Sequence, residues 1–148
     1  MAALEVGQVQ YSALLNDRGT FVDDCLVYRF TDKLMLVVNA ANIDKDWAHV
    51  VEQKGGANVR LRNISDEVGL LALQGPLAEA TLAPLARIPV AGIPYYEFRD
   101  GEVAGVQCFV SRTGYTGEDG FEVYCRAADT ATLWQAIMGR GGVTPCGL

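Results

Sequence analysis

Three glycines spaced three residues apart constrain the fold more than any other feature of this chain. Gly114, Gly117 and Gly120 lie in the stretch RTGYTGEDGFE, between one β-rich run that ends at Arg112 and a second that begins at Phe121. Glycine adopts positive φ without steric cost and lets another group come close to the backbone. The spacing therefore predicts a turning loop between two strands that pair with each other.

The same loop carries chemical groups that turning alone does not require. Tyr115 lies between the glycines, and carboxylates follow at Glu118, Asp119 and Glu122. A plain β-loop accounts for the glycines, and a site for a ligand that donates hydrogen bonds accounts for the whole pattern. Phosphate binding fits poorly, because the loop has neither the lysine nor the helix start of a phosphate-binding loop.

Apolar patterns along the rest of the chain predict an α+β fold of antiparallel sheets with a few packed helices. The continuous apolar run at residues 34–38 predicts a central strand. Asp100-Gly101 has the composition of a tight primed turn and predicts a hairpin. The predicted strands are residues 11–15, 21–30, 34–38, 59–61, 68–73, 95–98, 103–112 and 121–125.

Three segments have helical character. The first begins after Asn42, a suitable N-cap, and ends at Gly55-Gly56. A short second helix begins near Pro76, and a third begins near Asp129. The apolar residues that the first and third helices carry at helical spacing are Ile43, Trp47, Val50, Val51, Leu133, Trp134, Ile137 and Met138.

Length and charge limit the classes of protein. A chain of 148 residues, half of them apolar, can bury one core with a second small lobe. We predict a first α+β lobe at residues 1–64 and a second lobe, with the hairpin and the glycine loop, at residues 65–148. The net charge of −6, without a basic run, argues against nucleic-acid binding. No apolar run approaches the roughly 18 residues of a membrane span.

The cysteines predict neither a metal site nor a disulfide framework. The four cysteines are far apart in the sequence, no CxxC occurs, and His49 is the only histidine. A zinc site needs paired ligands. Reduced buried thiols in a cytoplasmic protein, or in the mitochondrial matrix of a eukaryote, are the better interpretation.

The adjacent acids Asp23 and Asp24 are unusual inside a predicted strand, because aspartate is depleted from strands. Strand alternation points them to opposite faces. One interpretation is an edge or bulge with both carboxylates in water. The other places Asp24 beside Tyr28 and Phe30, with its charge available to a nitrogen-rich ligand. Asn39, at the end of a predicted strand, fits either a ligand contact or a simple turn.

Four strings in order along the chain carry a resemblance to a known family. QYSALLNDRGTFVDDCLVYRF, VVNAANIDKDW, LLALQGP and SRTGYTGEDGFEVY resemble the T-protein family, the aminomethyltransferases of the glycine cleavage system. The resemblance implies a tetrahydrofolate site in which Asp24 is the essential catalytic aspartate. It also implies folate contacts, which fall on Tyr11, Tyr28, Asn39, Tyr115 and Glu122.

The implied reaction moves a methylene unit from the aminomethyl-dihydrolipoyl arm of the H-protein to tetrahydrofolate and releases ammonia. Two alternatives are a folate-binding protein without transferase activity and the folate domain of a demethylating oxidase. Family members are longer and usually have two glycines where this chain has Gly19-Thr20. We therefore expect a partial enzyme, inactive alone, that self-associates through its truncated surfaces.

Overall fold

The computed structural model describes residues 3–147, which divide into two compact units. The first unit ends at Ser65 and the second begins at Asp66. Each contains one antiparallel sheet, and the described residues include three α-helices. This confirms the predicted α+β class. The assignment of residues 1–64 and 65–148 as two lobes of a folate-binding region stays a prediction.

The first unit is a three-stranded sheet followed by a helix. Its strands are β1 (Val9–Leu15), β2 (Phe21–Arg29) and β3 (Leu34–Val38), in the order β1-β2-β3, and the helix is α1 (Ile43–Lys54). β2 is therefore the central strand, and the prediction that residues 34–38 form a central strand is wrong. Leu34 and Leu36 stay exposed, because an apolar run indicates a strand without indicating how many neighbours pair with it.

Helix α1 begins and ends where predicted, but without the side-chain cap expected at its start. Gly55 has φ 48° and donates its N–H to the carbonyl of Glu52, so glycine ends the helix. Asn42 occupies the N-cap position, yet its side chain makes no capping hydrogen bond. It donates to Asp23 instead. Val51, predicted on the apolar face, is exposed.

The second unit is a four-stranded antiparallel sheet with two helices. Its strands are β4 (Val68–Gln74), β5 (Phe98–Val103), β6 (Val106–Ser111) and β7 (Gly120–Arg126), in the order β4-β7-β6-β5. The helices are α2 (Ala78–Leu82) and α3 (Thr130–Met138). Side chains from the sheet and both helices form the core, including Leu73, Leu82, Val110, Phe121, Val123, Leu133 and Ile137. Trp134, predicted to be buried, is exposed.

The predicted hairpin exists, but its turn lies elsewhere. β5 and β6 pair up to Val103 and Val106, so the two-residue turn is Ala104-Gly105. Both turn residues have positive φ, as a primed turn requires. Gly101 lies inside β5, where a Cβ would come 2.3 Å from Ile88 Cγ2. Close packing, and not turning, therefore requires that glycine.

The strand predicted at residues 59–61 does not form. Residues 57–64 contain no strand in the part of the chain that the structure describes, and Val59 is exposed. The alternation there was too short to signal a pairing partner.

The helices of the described residues are all too short or too polar to cross a membrane.

Candidate functional site

The first unit joins two neighbouring acids and two amides in one hydrogen-bonded group. We call Asp23, Asp24, Asn39 and Asn42 the acid–amide cluster. Asn39 Nδ2 lies 2.9 Å from Asp23 Oδ1 and 2.6 Å from Asp24 Oδ1, so one amide group donates to both carboxylates. An amide nitrogen carries two hydrogens, which is one for each acid. Asn39 thus holds the two carboxylates together.

Asp24 receives a second hydrogen bond from the neighbouring strand. The Tyr11 hydroxyl donates to Asp24 Oδ2 at 2.5 Å. Hydrogen bonds to a charged acceptor are shorter and stronger than neutral ones. The Asp24 carboxylate is therefore held from two sides, by a phenol and an amide, and its orientation is defined.

The register of the sheet explains how these residues meet. Asp24 lies opposite Ala13, and Tyr11 is two residues along β1, a diagonal distance that a tyrosine can span. On the other side, Val38 ends β3 opposite Cys25. Asn39 follows Val38 and so comes beside Asp24. The hydrogen-bond donors to Asp24 thus come from both neighbours of the central strand, Tyr11 from β1 and Asn39 from the end of β3.

Asp23 is the more heavily bonded of the two acids. It accepts hydrogen bonds from the backbone N–H of Asp24 at 2.9 Å, from Asn42 Nδ2 at 2.5 Å and from Asn39. Burial acts to raise its pKa, but the hydrogen bonds outweigh burial and hold the pKa well below its usual value. The interpretation with both acids in water is wrong for Asp23. Asp23 and Asp24 also share one amide, although strand alternation predicts opposite faces.

Two members of this region were missed by the sequence analysis. Asp46, in the first turn of α1, has no exposed surface. Lys45 donates to the carbonyl of Val22 at 2.8 Å and lies 3.4 Å from Asp23. Position 46 is three residues after Ile43, so an acid on the apolar stripe was the available signal.

Tyr28 differs from the other predicted contacts of the first unit. Its side chain is fully buried, whereas Tyr11 is 59% exposed. A folate contact at Tyr28 stays a prediction. The structure shows it as a buried side chain of β2, the same strand that carries Asp24.

The glycine loop of the second unit, residues 113–120, is built around Gln74. A Cβ on Gly114 would come 2.2 Å from Gln74 Oε1, and one on Gly120 would come 2.5 Å from the same atom. Gln74 Nε2 donates to the carbonyls of Thr113 at 3.1 Å and Phe121 at 3.2 Å. Two of the three glycines therefore make room for one glutamine. Gly117, with φ 79°, is the one that turns the chain.

Asp119 of this loop is bound to an arginine. Arg112 Nε lies 2.9 Å from Asp119 Oδ1, and Nη2 lies 2.6 Å from Oδ2. Arg112 also reaches Glu79 at 3.0 Å and stacks over the Phe121 ring at 5.1 Å. Asp119 therefore fixes the loop to the sheet. Glu118 in the loop and Glu122 in β7 are the other carboxylates of the glycine-rich motif.

Glu122 is a buried carboxylate, 6% exposed, in the middle of β7. The hydroxyl of Thr113 donates to its Oε2, and the hydroxyl of Tyr124 donates to the same oxygen at 3.2 Å. Tyr124 stacks on Phe109, with ring centroids 4.4 Å apart. The arrangement places the acid at the hydroxyl end of a stacked aromatic pair. By contrast, Tyr115 is 89% exposed, at the tip of the glycine loop.

The predicted site residues thus fall into two groups. Tyr11, Asp24 and Asn39 form one hydrogen-bonded set in the first unit. In the second unit Glu122 is held by hydroxyls, and neither Gln74 nor Thr113 was predicted.

The fold and these sites place the chain in a defined class. The model of the GCVT N-terminal domain family matches residues 1–148. The chain belongs to this family.

Its relatives by sequence are aminomethyltransferases. The chain is 52% identical to the aminomethyltransferase of Anoxybacillus flavithermus, over 100% of this chain and 42% of that protein. It is 50% identical to that of Pseudothermotoga lettingae, over 98% of this chain and 41% of that protein. The chain therefore spans about two fifths of the length of these curated relatives.

Solved structures agree with this assignment. The glycine cleavage system aminomethyltransferase T from Bartonella henselae matches with a TM-score of 0.78 at 34% identity, over 93% of this chain and 37% of that one. A heterotetrameric sarcosine oxidase from Corynebacterium sp. U-96 matches with a TM-score of 0.56 at 18% identity, over 96% of this chain and 69% of that one. At that identity the second match shows a shared fold.

Proposed function

We propose that this chain is the folate-binding part of an aminomethyltransferase of the glycine cleavage system. The enzyme transfers a methylene unit from the aminomethyl-dihydrolipoyl group of its H-protein partner to tetrahydrofolate, with release of ammonia. The observation that carries the proposal is the hydrogen-bonded set of Tyr11, Asp24 and Asn39, three of the residues that the resemblance implies.

In this proposal Asp24 acts on the reacting nitrogen of tetrahydrofolate. That nitrogen attacks an iminium-like carbon and gains positive charge as the new bond forms. A carboxylate placed beside it orients the nitrogen and stabilises the developing charge. The hydrogen bonds from Tyr11 and Asn39 fix the carboxylate before the substrate arrives, so little reorganisation accompanies the reaction.

Glu122 is proposed to recognise the pterin ring. The ring presents an amide N–H beside an exocyclic amine, and a carboxylate accepts two such parallel donors as it accepts an arginine fork. Thr113 and Tyr124 hold Glu122 in place. Tyr115 and Tyr28 are proposed to add ring contacts, and Tyr28 is the weaker candidate because it is buried.

The test is a calorimetric titration of this chain with 5-methyltetrahydrofolate. We expect Glu122→Ala to weaken binding by roughly tenfold to a hundredfold, since a hydrogen bond to a charged group contributes about 1.5–3 kcal/mol. Glu118→Ala is the matched control, because it removes an exposed carboxylate four residues away in the same region. Equal effects of the two changes would overturn the assignment of Glu122.

The catalytic assignment needs an aminomethyltransferase of full family length that carries this segment. There we expect Asp24→Asn to lower methylene-tetrahydrofolate formation from loaded H-protein far more than it weakens folate binding, because charge develops in the transition state. Near-normal turnover of Asp24→Asn would show that Asp24 is a structural acid.

A further inference from the structure

Asp46 is a buried acid that the proposed chemistry does not use. Its side chain has no exposed surface, and neither of its carboxylate oxygens accepts a hydrogen bond from a donor within residues 3–147. A buried charge without hydrogen bonds is costly. Asp46 therefore needs either a cation beside it or a proton that neutralises it.

Lys45 is not a dedicated ion-pair partner for Asp46. Its Nζ is 3.8 Å from Asp46 Oδ1, but it is closer to two other oxygens, the Val22 carbonyl at 2.8 Å and Asp23 Oδ2 at 3.4 Å. The lysine side chain is also 49% exposed, so solvent screens its charge. Lys45 therefore interacts mainly with Asp23 and with the backbone of β2.

The neighbouring Asp23 is in the opposite situation. Nitrogen donors surround it, and Asp46 is its hydrogen-bonding neighbour from α1. Donors favour the charged form of an acid, and burial without donors favours the neutral form. Of the two acids, Asp46 is therefore the one that binds a proton more tightly, and Asp23 is the one whose charged form is favoured.

The electrostatic surroundings agree with this division. Burial raises the pKa of Asp46, and the hydrogen bond with Asp23 and the charge of Asp23 raise it further, against Lys45 and His49. Burial also raises the pKa of Cys25 to about 11, so that thiol stays neutral beside the acids. The titratable groups that interact with Asp46 are Asp23 and Cys25 on β2, and Lys45 and His49 on α1.

We propose that Asp46 is a positioning residue, whose protonated carboxyl group donates a hydrogen bond to Asp23 and so fixes the carboxylate that orients Asn39 toward Asp24. The proton on Asp46 follows from the burial and the contacts of the first unit. Its effect on Asp24 rests on the function proposed above. The chain of contacts runs from Asp46 through Asp23 and the Asn39 amide to Asp24.

The proposal gives the acid–amide cluster a defined response to rising pH. When Asp46 loses its proton, it becomes a second negative charge next to Asp23 and no longer donates. Asp23 then moves away, and Asn39 loses one of the two acceptors that hold its amide. Because the folded state holds this proton more tightly than the unfolded state, stability falls as pH rises above the ordinary value and through the raised pKa of Asp46.

Two variants separate the hydrogen-bond donor that we propose for Asp46 from its charge. Asp46→Asn keeps an N–H donor for Asp23 and cannot ionise, whereas Asp46→Leu removes the donor at similar size. Asp44→Asn is the control, because it removes an exposed acid from the same helix. All are made in this chain.

The first measurement is a carbon-13 NMR titration of the aspartate carboxyl groups, in which the Asp46 signal is the one lost in Asp46→Asn. We expect this signal to titrate above the ordinary value of 3.8. Titration at or below that value overturns the proposal. This result does not depend on folate binding or on whether Asp46→Leu folds.

The second measurement is binding of 5-methyltetrahydrofolate as a function of pH. We expect Asp46→Asn to bind within about twofold of the unchanged chain and to lack the decline that the unchanged chain shows as pH rises through the pKa of Asp46. Asp46→Leu should weaken binding roughly tenfold. Equal impairment of Asp46→Asn and Asp46→Leu overturns the positioning role. If the unchanged chain binds no folate while Asp46 titrates high, the proposed function fails and the shared proton stands.

Discussion

Arg112 holds Asp119 with two parallel hydrogen bonds, from Nε to Oδ1 at 2.9 Å and from Nη2 to Oδ2 at 2.6 Å. This geometry is the bidentate form in which arginine binds carboxylates most strongly. It joins the end of β6 to the residue before β7. Asp119 is therefore a structural residue that fixes the glycine loop.

Replacing Asp119 with asparagine should destabilise the second unit in a pH-dependent way. The hydrogen bonds from Arg112 hold the pKa of Asp119 below its usual value of 3.8. A lowered pKa means that the stabilisation is present above the ordinary pKa and is lost as pH falls through the folded value. The side chain is 46% exposed, so we expect a loss of only about 1 kcal/mol at pH 7.

Urea denaturation of the unchanged chain and of Asp119→Asn, at pH 7 and near pH 3, measures this difference in stability. The deficit of Asp119→Asn should shrink at the lower pH. An equal deficit at both pH values would show that shape, and not charge, is what Asp119 contributes.

Thr113→Val should destabilise the chain because it removes a donor from a buried carboxylate. The Thr113 hydroxyl donates to Glu122 and lies 2.8 Å from the Ser111 hydroxyl. Removing one partner of a buried polar group costs about 1–3 kcal/mol. Thr116→Val is the control, since Thr116 is exposed and its hydroxyl contacts with Gln74 Oε1 and with the Glu118 N–H are both long, at 3.4 Å. If both variants unfold at the same urea concentration, the hydroxyl does not stabilise Glu122.

Much of the secondary structure could be predicted because it follows from local patterns. The strands at β1, β2, β4 and β7 and the end of α1 at Gly55 follow from alternation and glycine chemistry. The hairpin turn could not be placed, because Asp100-Gly101 and Ala104-Gly105 both contain a turn-forming glycine. The choice depends on Ile88, which packs where a Gly101 side chain would lie.

Ala104→Asn should stabilise the chain. Ala104 has φ 50°, a conformation that costs alanine energy and that asparagine tolerates. The change creates Asn-Gly, the preferred sequence of this turn, and we expect a gain of about 0.5–1 kcal/mol. Thermal and urea denaturation measure it. Loss of stability in Ala104→Asn would mean that the turn is not of the primed type.

The candidate site, like the hairpin turn, could be predicted from the sequence only in part. The resemblance supplied Tyr11, Asp24 and Asn39, and the structure connects them by hydrogen bonds. Gln74 could not be found in this way, since its importance comes from partners distant in sequence, the carbonyls of Thr113 and Phe121. The sequence signal for Asp46 is its place on the apolar stripe of α1, which shows burial but not its neighbours. Long-range hydrogen bonding is a property of the fold and leaves little trace in local composition.

The glycines of the loop provide a test of size against backbone conformation. A Cβ on Gly117 would meet open space, but the backbone there has a φ of 79°. A Cβ on Gly120 would come 2.7 Å from the Gln74 Cα and 2.5 Å from its Oε1. Gly117 is therefore required for its backbone angle and Gly120 for its lack of a side chain.

Alanine and asparagine should consequently rank in opposite orders at the two positions. At position 117 we expect Gly117→Asn to be more stable than Gly117→Ala, which costs about 1–3 kcal/mol, because asparagine tolerates positive φ. At position 120 overpacking costs about 1–3 kcal/mol for Gly120→Ala and more for the larger Gly120→Asn. Urea denaturation of the four variants decides the matter. If asparagine is better than alanine at both positions, backbone conformation governs Gly120 as well, and Gln74 does not set the shape of the loop.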